Sequence, residues 1–264
     1  FSEDIQEKIV GATSHVNLLR LDNTPIRDYE DLLARLRRVP HVTGGAPAIF
    51  SQVFVAGPSH NQGAVRKGVD PVREKEISDF FSHIVEGDPD ALLWQDEIVL
   101  DPEAPPSPSP IIIGREMARA LSVKIGDALK VFYPQGRLTP LGMTASQRTF
   151  QVAAIFESGL WDYDANWVYA GMGSARRLFA YPNDSASVLQ FKTDDMENAE
   201  AISDAIREAA GSGMTTSTWI DLNKPLFSAL KLEKLALFLT ISLIVFVAAL
   251  NIVTTLIMMV LEKQ

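Results

Sequence analysis

From Leu235 to Leu261 the chain runs 27 residues without a charged side chain. About 20 apolar residues are enough to cross a bilayer core. The run LALFLTISLIVFVAALNIVTTLIMMVL would form a helix about 40 Å long at about 1.5 Å per residue. Lys234 stands at one end and Glu262-Lys263 at the other. The alternative, a buried helix of a large soluble protein, is disfavoured by this length. The chain is therefore expected to be part of a larger membrane protein. If another span precedes Phe1, the first 234 residues form a large loop between two spans. One lysine on each flank does not orient the span by the positive-inside rule.

Those 234 residues suffice for a sizeable core, as one domain or two small ones. The sequence holds no cysteine, which excludes a disulfide scaffold, thiolate metal sites and cysteine nucleophiles. Its formal net charge is -9, carried by the part before the span, because Glu262 and Lys263 cancel. Such a surface suits nucleic acid poorly, so no nucleic-acid partner is expected.

The patterning suggests two strand–helix–strand units. Phe1–Gly11 reads as a short juxtamembrane helix. His15–Leu21 reads as a strand, with Thr24 and Pro25 opening a helix that carries Tyr29, Leu32, Leu33 and Leu36. A second strand covers Ala48–Ala56. The later unit comprises a strand at Ser187–Phe191 and a helix at Asp194–Ala210. Met196, Ala199, Ile202, Ile206 and Ala209 point inward there, and a strand follows at Thr215–Ile220. Two such halves make a ferredoxin-like, porter-type α/β sandwich. The expected class is α+β: this sandwich from 12–61 and 185–221, a mainly β second domain inserted at 62–184, then a transmembrane helix. Within the insert, a helix is expected near Pro71–Ile84. The Pro-rich stretch from Pro102 to Pro110 reads as a rigid connector, neither helix nor central strand. Ile111–Gly114 should lead into a helix with Met117, Ala118 and Leu121. Asp127–Tyr133 and Thr149–Phe156 read as strands, the latter with Phe150, Val152, Ala154 and Phe156 on one face.

Between those last strands lie fourteen residues, Pro134–Gln147, with no evident secondary structure. Hairpin loops usually have about two to five residues. The segment carries Leu138, Leu141 and Met143 among glycine and proline, where a solvated loop would be polar. It is either a stiffened finger that docks on another protein or a flap that buries its apolar residues on its own domain.

No catalytic constellation assembles. His15, His41, His60 and His83 are scattered and lack metal-ligand spacing, so no metal is expected. Gly44-Gly45 and Gly171/Gly173 lack a P-loop lysine or dinucleotide fingerprint. Asp162 and Asp164 can be imagined as paired acids, but sit more naturally in an aromatic turn where Trp161, Tyr163, Trp167 and Tyr169 pack. Ahead of the span, 222–234 places Leu226, Phe227 and Leu230 at helical spacing with no breaker after Pro225. Helix can then run on into 235–261 and carry motion rigidly. Asn251, with Thr254 nearby, suits a face packed on another helix, worth about 1 kcal/mol. A substrate role for Asn251 is the minority alternative.

Taken together, Gly68–Pro71, Ile111–Ala118 with Val123–Asp127, Thr139–Gly142, Phe156–Gly159, Tyr163-Asp164 with Val168-Tyr169, and Leu226 through Lys234 to Ala248–Val253 resemble one family. It is that of the permease subunits (LolC/LolE type) of the lipoprotein-releasing ABC transporter of Gram-negative bacteria, built on a MacB-like periplasmic core domain. The resemblance covers the whole chain, with order and spacing more specific than any single piece. It implies an inner-membrane location, with 1–234 largely periplasmic. It also implies extraction of acylated lipoproteins from the phospholipid bilayer. The implied partners are a cytoplasmic ABC ATPase dimer, a second permease subunit in a hetero- or homodimer, and a periplasmic lipoprotein carrier. This chain would be non-catalytic and bind no cofactor, ATP and Mg being used by the ATPase. The family's carrier-recruiting hook would fall on the arm 134–147, here Pro134, Gln135, Gly136, Arg137, Leu138, Thr139, Pro140, Leu141, Gly142 and Met143. Thr144-Ala-Ser-Gln147 departs from the more proline-rich or basic sequence expected there. Acyl contacts would come from Leu239, Leu243, Phe246 and Leu250, with Leu235 and Phe238 at the mouth, and helix packing from Asn251 and Thr254. Rival readings are a MacB-like mechanotransmitting efflux permease, which would not need the arm, a membrane-anchored sensor or adaptor, and a tethered enzyme.

Overall fold

A computed structural model describes residues 14–58, 60–93, 108–139, 142–179, 181–195, 198–222 and 224–262. The helix expected at Phe1–Gly11 and the inward Met196 lie outside them.

The first half begins with β1 (Val16–Arg20), the two-residue β2 (Ile26–Arg27), α1 (Tyr29–Leu36) and the fifteen-residue β3 (Val42–Ala56). Near the other end come β11 (Val188–Thr193), α6 (Ala199–Ala210) and β12 (Met214–Thr218). Their strands lie side by side in the order β12-β1-β11-β3, all antiparallel. That order, outer strand four beside one and three beside two, is the ferredoxin-like arrangement expected from the two strand–helix–strand units. α1 and α6 pack Tyr29, Leu33, Leu36, Ile202 and Ile206 onto Val16, Leu18, Leu189 and Phe191.

Two local expectations fail here for clear reasons. The helix starts at Tyr29 rather than Pro25, because Asp22 captures the backbone N–H and hydroxyl of Thr24 in a turn, and Ile26–Arg27 pairs with β10 (Ser185–Ala186). Ala209 is exposed, since in the last turn of α6 it is Ala210, four residues after Ile206, that packs on the core.

The chain between runs through β4 (Asn61–Val69), α2 (Pro71–Ile77), a 3-10 turn (Phe80–His83) and β5 (Ile84–Gly87). After the undescribed 94–107 come β6 (Ser109–Gly114), α3 (Arg115–Leu121), β7 (Ala128–Thr139) and β8 (Gly142–Phe156). Then follow α4 (Trp161–Asn166), β9 (Trp167–Gly171) and α5 (Met172–Phe179). The sheet continues from β3 through β4, β9, β6 and β8 to β5, while β7 pairs with both β8 and the end of β3. The path β3-β4-β9-β6-β8-β7-β3 therefore closes on itself, while β7 and β8 run on past it as a two-stranded arm. Inside are Val53, Val55, Ile111, Ile113, Leu129, Val131, Phe150 and Val152, with Met117 and Leu121 of α3.

The helix expected over Pro71–Ile84 stops at Ile77, followed by the 3-10 turn. Asp70 caps α2 by accepting from the N–H groups of Val72 and Arg73. Ser109 and Pro110 belong to β6, against the connector expected there. Proline is tolerated because it stands near the strand's start, outside the Ile111–Ile113 pairing with β9. The uniform face expected for β8 is also broken. A bulge opposite Ile111/Ile112 turns Phe150 and Val152 into the barrel, and sends Ala154 and Phe156 to a separate cluster with Phe80 and Tyr169. α5 lies close on β4, where a Cβ on Gly68 would meet the Ala175 Cβ at 2.5 Å.

The second compact unit covers Ile220–Gln264. α7 (Trp219–Leu222) is followed by α8 (Lys224–Glu262), one unbroken 39-residue helix that contains Lys234. At about 1.5 Å per residue it is about 58 Å long. Its segment Leu232–Met259 is apolar enough to cross a membrane and buries nothing in the protein itself.

Candidate functional site: the β7–β8 arm and the membrane helix

The fourteen-residue segment expected to lack structure is a continuation of the β7–β8 hairpin. The ladder extends through Arg137↔Thr144, Leu138↔Met143 and Thr139↔Gly142, leaving only Pro140 and Leu141 at the tip outside the described residues. Backbone groups projecting from a domain have no neighbour but the opposite strand, so pairing across the arm is how they are satisfied. The alternation that would have revealed it is interrupted by Pro134, Gly136 and Pro140. At the root, Tyr133↔Ser146 is followed by Arg137↔Thr144, so four steps along β7 match two along β8. The two extra residues fall within Pro134, Gln135 and Gly136, where a residue without an N–H interrupts nothing.

Beside this root is an open notch of about 240 Å³ lined by Ser146, Gln147, Arg148, Arg177 and Leu178. Beneath it Arg66 is fully buried. One nitrogen of its guanidinium donates to Ser174 Oγ at 2.6 Å, and Ser174 in turn donates to the Gly171 carbonyl. The guanidinium sits 4.8 Å from the Phe150 ring and 5.8 Å from that of Phe179. Among the described residues, Nε and Nη1 find no hydrogen-bond partner. Burial, then the charges of Arg177 and Arg148, push its pKa down to about 9. Nothing in the local pattern marks this arginine, because β4 reads there as an ordinary charged stretch.

A second buried cation, Lys67, lies 2.5 Å from Glu74, which also accepts from Ser78. This pair ties β4 to α2. A larger open groove of about 740 Å³ lies along α3, but its Arg115 is engaged by Glu157 at 2.6 Å and Glu86 at 3.8 Å.

The imagined acid pair does not converge. Asp164 is buried and accepts from the N–H and hydroxyl of Ser158, whereas Asp162 accepts from Asn166 at the surface. Tyr163 and Trp167 stack at 5.0 Å and Tyr169 is buried, as the aromatic-turn alternative expects, but Trp161 is exposed. His15 bonds Thr193 and His41 bonds Asp194. Among the described residues no group of three metal-ligating side chains gathers.

On α8, Leu235, Phe238, Leu239, Leu243, Phe246 and Leu250 are all exposed, and Leu239, Leu243, Phe246 and Leu250 follow one stripe at steps of four, three and four. Asn251 stands about 100° around the helix from Leu250. The Thr254 hydroxyl donates to the Leu250 carbonyl at 2.9 Å, and Thr240 and Thr255 bond back to Ala236 and Asn251 in the same way.

These features define an α+β protein with a long paired hairpin and an apolar helix long enough to cross a membrane. Residues 1–209 match the MacB-like periplasmic core domain, and the chain belongs to that family. It is 27% identical over its whole length to the lipoprotein-releasing system transmembrane protein LolC of Neisseria meningitidis, covering 60% of that protein. It is 22% identical, again over its whole length, to the corresponding LolE of Haemophilus influenzae, covering 61%. The chain thus spans about 60% of the length of the curated relatives it matches. The periplasmic region of MacB from Actinobacillus actinomycetemcomitans superposes with a TM-score of 0.49 at 9% identity, covering 83% of this chain and 95% of that one.

Proposed function

We propose that this chain is the periplasmic domain and one span of an ABC-transporter permease that extracts acylated lipoproteins from the inner membrane and passes them to a periplasmic carrier. The observation that carries this reading is the paired β7–β8 arm on a MacB-like core domain, in a chain similar along its length to LolC. An ordered hairpin costs less to fix on binding than a loop, and its backbone edges can add strands from a partner. The notch at its root, with Arg148 and Arg177 on an otherwise acidic protein, suits an acidic patch on the carrier.

Each buried acyl CH₂ contributes about 0.8 kcal/mol, so a protein with two or three chains does not leave the bilayer unaided. ATP and Mg act in a separate ATPase dimer, and the second permease completes the cavity. The exposed stripe Leu239, Leu243, Phe246 and Leu250 offers acyl contact, with Leu235 and Phe238 at the mouth. Asn251 faces a neighbouring helix. The unbroken α8 supports transmission of force between lipid and periplasm. Its family's MacB-type name favours one second reading, mechanotransmission to an efflux tunnel, in which the arm has no task.

Deleting Leu138–Met143 separates the two. The deletion is expected to leave the melting temperature of the soluble unit unchanged and to abolish carrier binding in titration calorimetry. Undiminished binding would defeat the lipoprotein reading.

A further inference from the structure

The bulge at Pro134–Gly136 bends β7 just where the arm leaves the barrel, and a bulged two-stranded ribbon has no core of its own to hold its direction. Something on the body side must hold the last residue before the bend. That residue is Tyr133, whose ring meets Phe179 edge-on at 4.4 Å and an interplanar angle of 75°. Phe179 is the last residue of α5 and packs against both the barrel core and the ferredoxin-like core. Behind it lies the Arg66 guanidinium, which also covers Phe150 on β8, the other strand of the arm. The Ser174 hydroxyl, on the same helix as Phe179, holds that guanidinium in turn. One helix therefore reaches β7 at the arm's root, through Tyr133, and β8 four residues into the barrel from Ser146, through Phe150, by a single aromatic–cation stack.

We propose that the stack Tyr133–Phe179–Arg66–Phe150 is a clamp that fixes the direction of the arm, making Tyr133 and Phe179 positioning residues for partner capture rather than contact residues. The part concerning capture rests on the carrier reading above. The part concerning the arm's direction does not.

The chain has no cysteine, so cysteines placed at Arg137 on the arm and at the exposed Arg119 on α3 label uniquely within it. Spin-label distance distributions are then read on the full-length permease in nanodiscs, with thermal melting followed in parallel. Phe179→Leu retains an apolar side chain yet removes the ring. It is expected to broaden the distribution about twofold and weaken carrier binding about tenfold. If Phe179→Leu does not fold, Tyr133→Leu, at a half-buried position, makes the same measurement. Tyr133→Phe keeps the ring and is expected to restore the narrow distribution. An unchanged distribution in the leucine variants, or equal broadening in Tyr133→Phe, overturns the clamp. Broadening with no carrier binding even by the unaltered protein confirms the clamp and defeats only the carrier reading.

Discussion

The arm and the membrane helix both hold their shape through backbone pairing, yet by opposite means. In α8 every interior N–H finds its carbonyl four residues back, so the helix needs no tertiary partner and can stand in lipid. In the arm each backbone group depends on the opposite strand. Its direction depends further on a bulge and on side chains of α5, more than thirty residues away in sequence. A self-contained element shows in local sequence, and a mutually dependent one does not. The contrast is between an element stiff by itself and one whose direction its neighbours set.

Substitutions can break or sharpen this contrast. The largest effect is expected in neither of these elements but in the sheet that carries Lys67. Lys67→Met leaves Glu74 buried without its counter-charge and should cost about 3–5 kcal/mol in denaturant unfolding of the soluble unit, with the span still inserted. Next, Phe246→Arg should oppose membrane insertion by about 3 kcal/mol, read as protein lost from carbonate-washed membranes, with the soluble unit's melting unchanged.

Arg66→Met should raise stability by about 1–2 kcal/mol at neutral pH, because it removes a buried charge that has no carboxylate partner among the described residues. The sign of its pH dependence follows from the direction of the shift. The folded pKa of about 9 lies below that of a free guanidinium, so the unfolded chain binds more protons between the two. Wild-type stability from this residue therefore rises as pH climbs through that window. The variant's advantage should be complete below pH 9 and smaller above it, which denaturant curves at about pH 8 and about pH 10.5 would show. Smaller again, Asn251→Leu should weaken association with neighbouring helices by about 1 kcal/mol in a membrane dimerisation assay. Thr254→Val should change association by less than about 0.5 kcal/mol, since its hydroxyl is already bonded within the helix. Equal effects of Asn251 and Thr254 would break the distinction between a polar group facing outward and one spent on its own backbone.

The ferredoxin-like half was legible because its strands and helices carry their own periodicity, as in Tyr29, Leu33 and Leu36 or Ile202 and Ile206. The arm was misread as structureless because Pro134, Gly136 and Pro140 hide its alternation. The β8 face was misread because a bulge opposite Ile111/Ile112 reverses which side chains enter the barrel. Arg66, the centre of the arm's root, had no signal at all, since a single basic residue in a strand looks solvated until the surrounding rings are in place.

By itself the sequence determined the span from Leu235 to Leu261, the helical path through Lys234 and the two strand–helix–strand units. Each depends on contacts within a few turns or on the simple opposition of water and hydrocarbon. Only the tertiary structure decided that six strands close on themselves, that the arm is a paired ribbon and that a buried guanidinium stands at its root. The closure and the buried guanidinium arise from pairing and desolvation between segments far apart in the chain, and the arm's local pairing is masked by Pro134, Gly136 and Pro140.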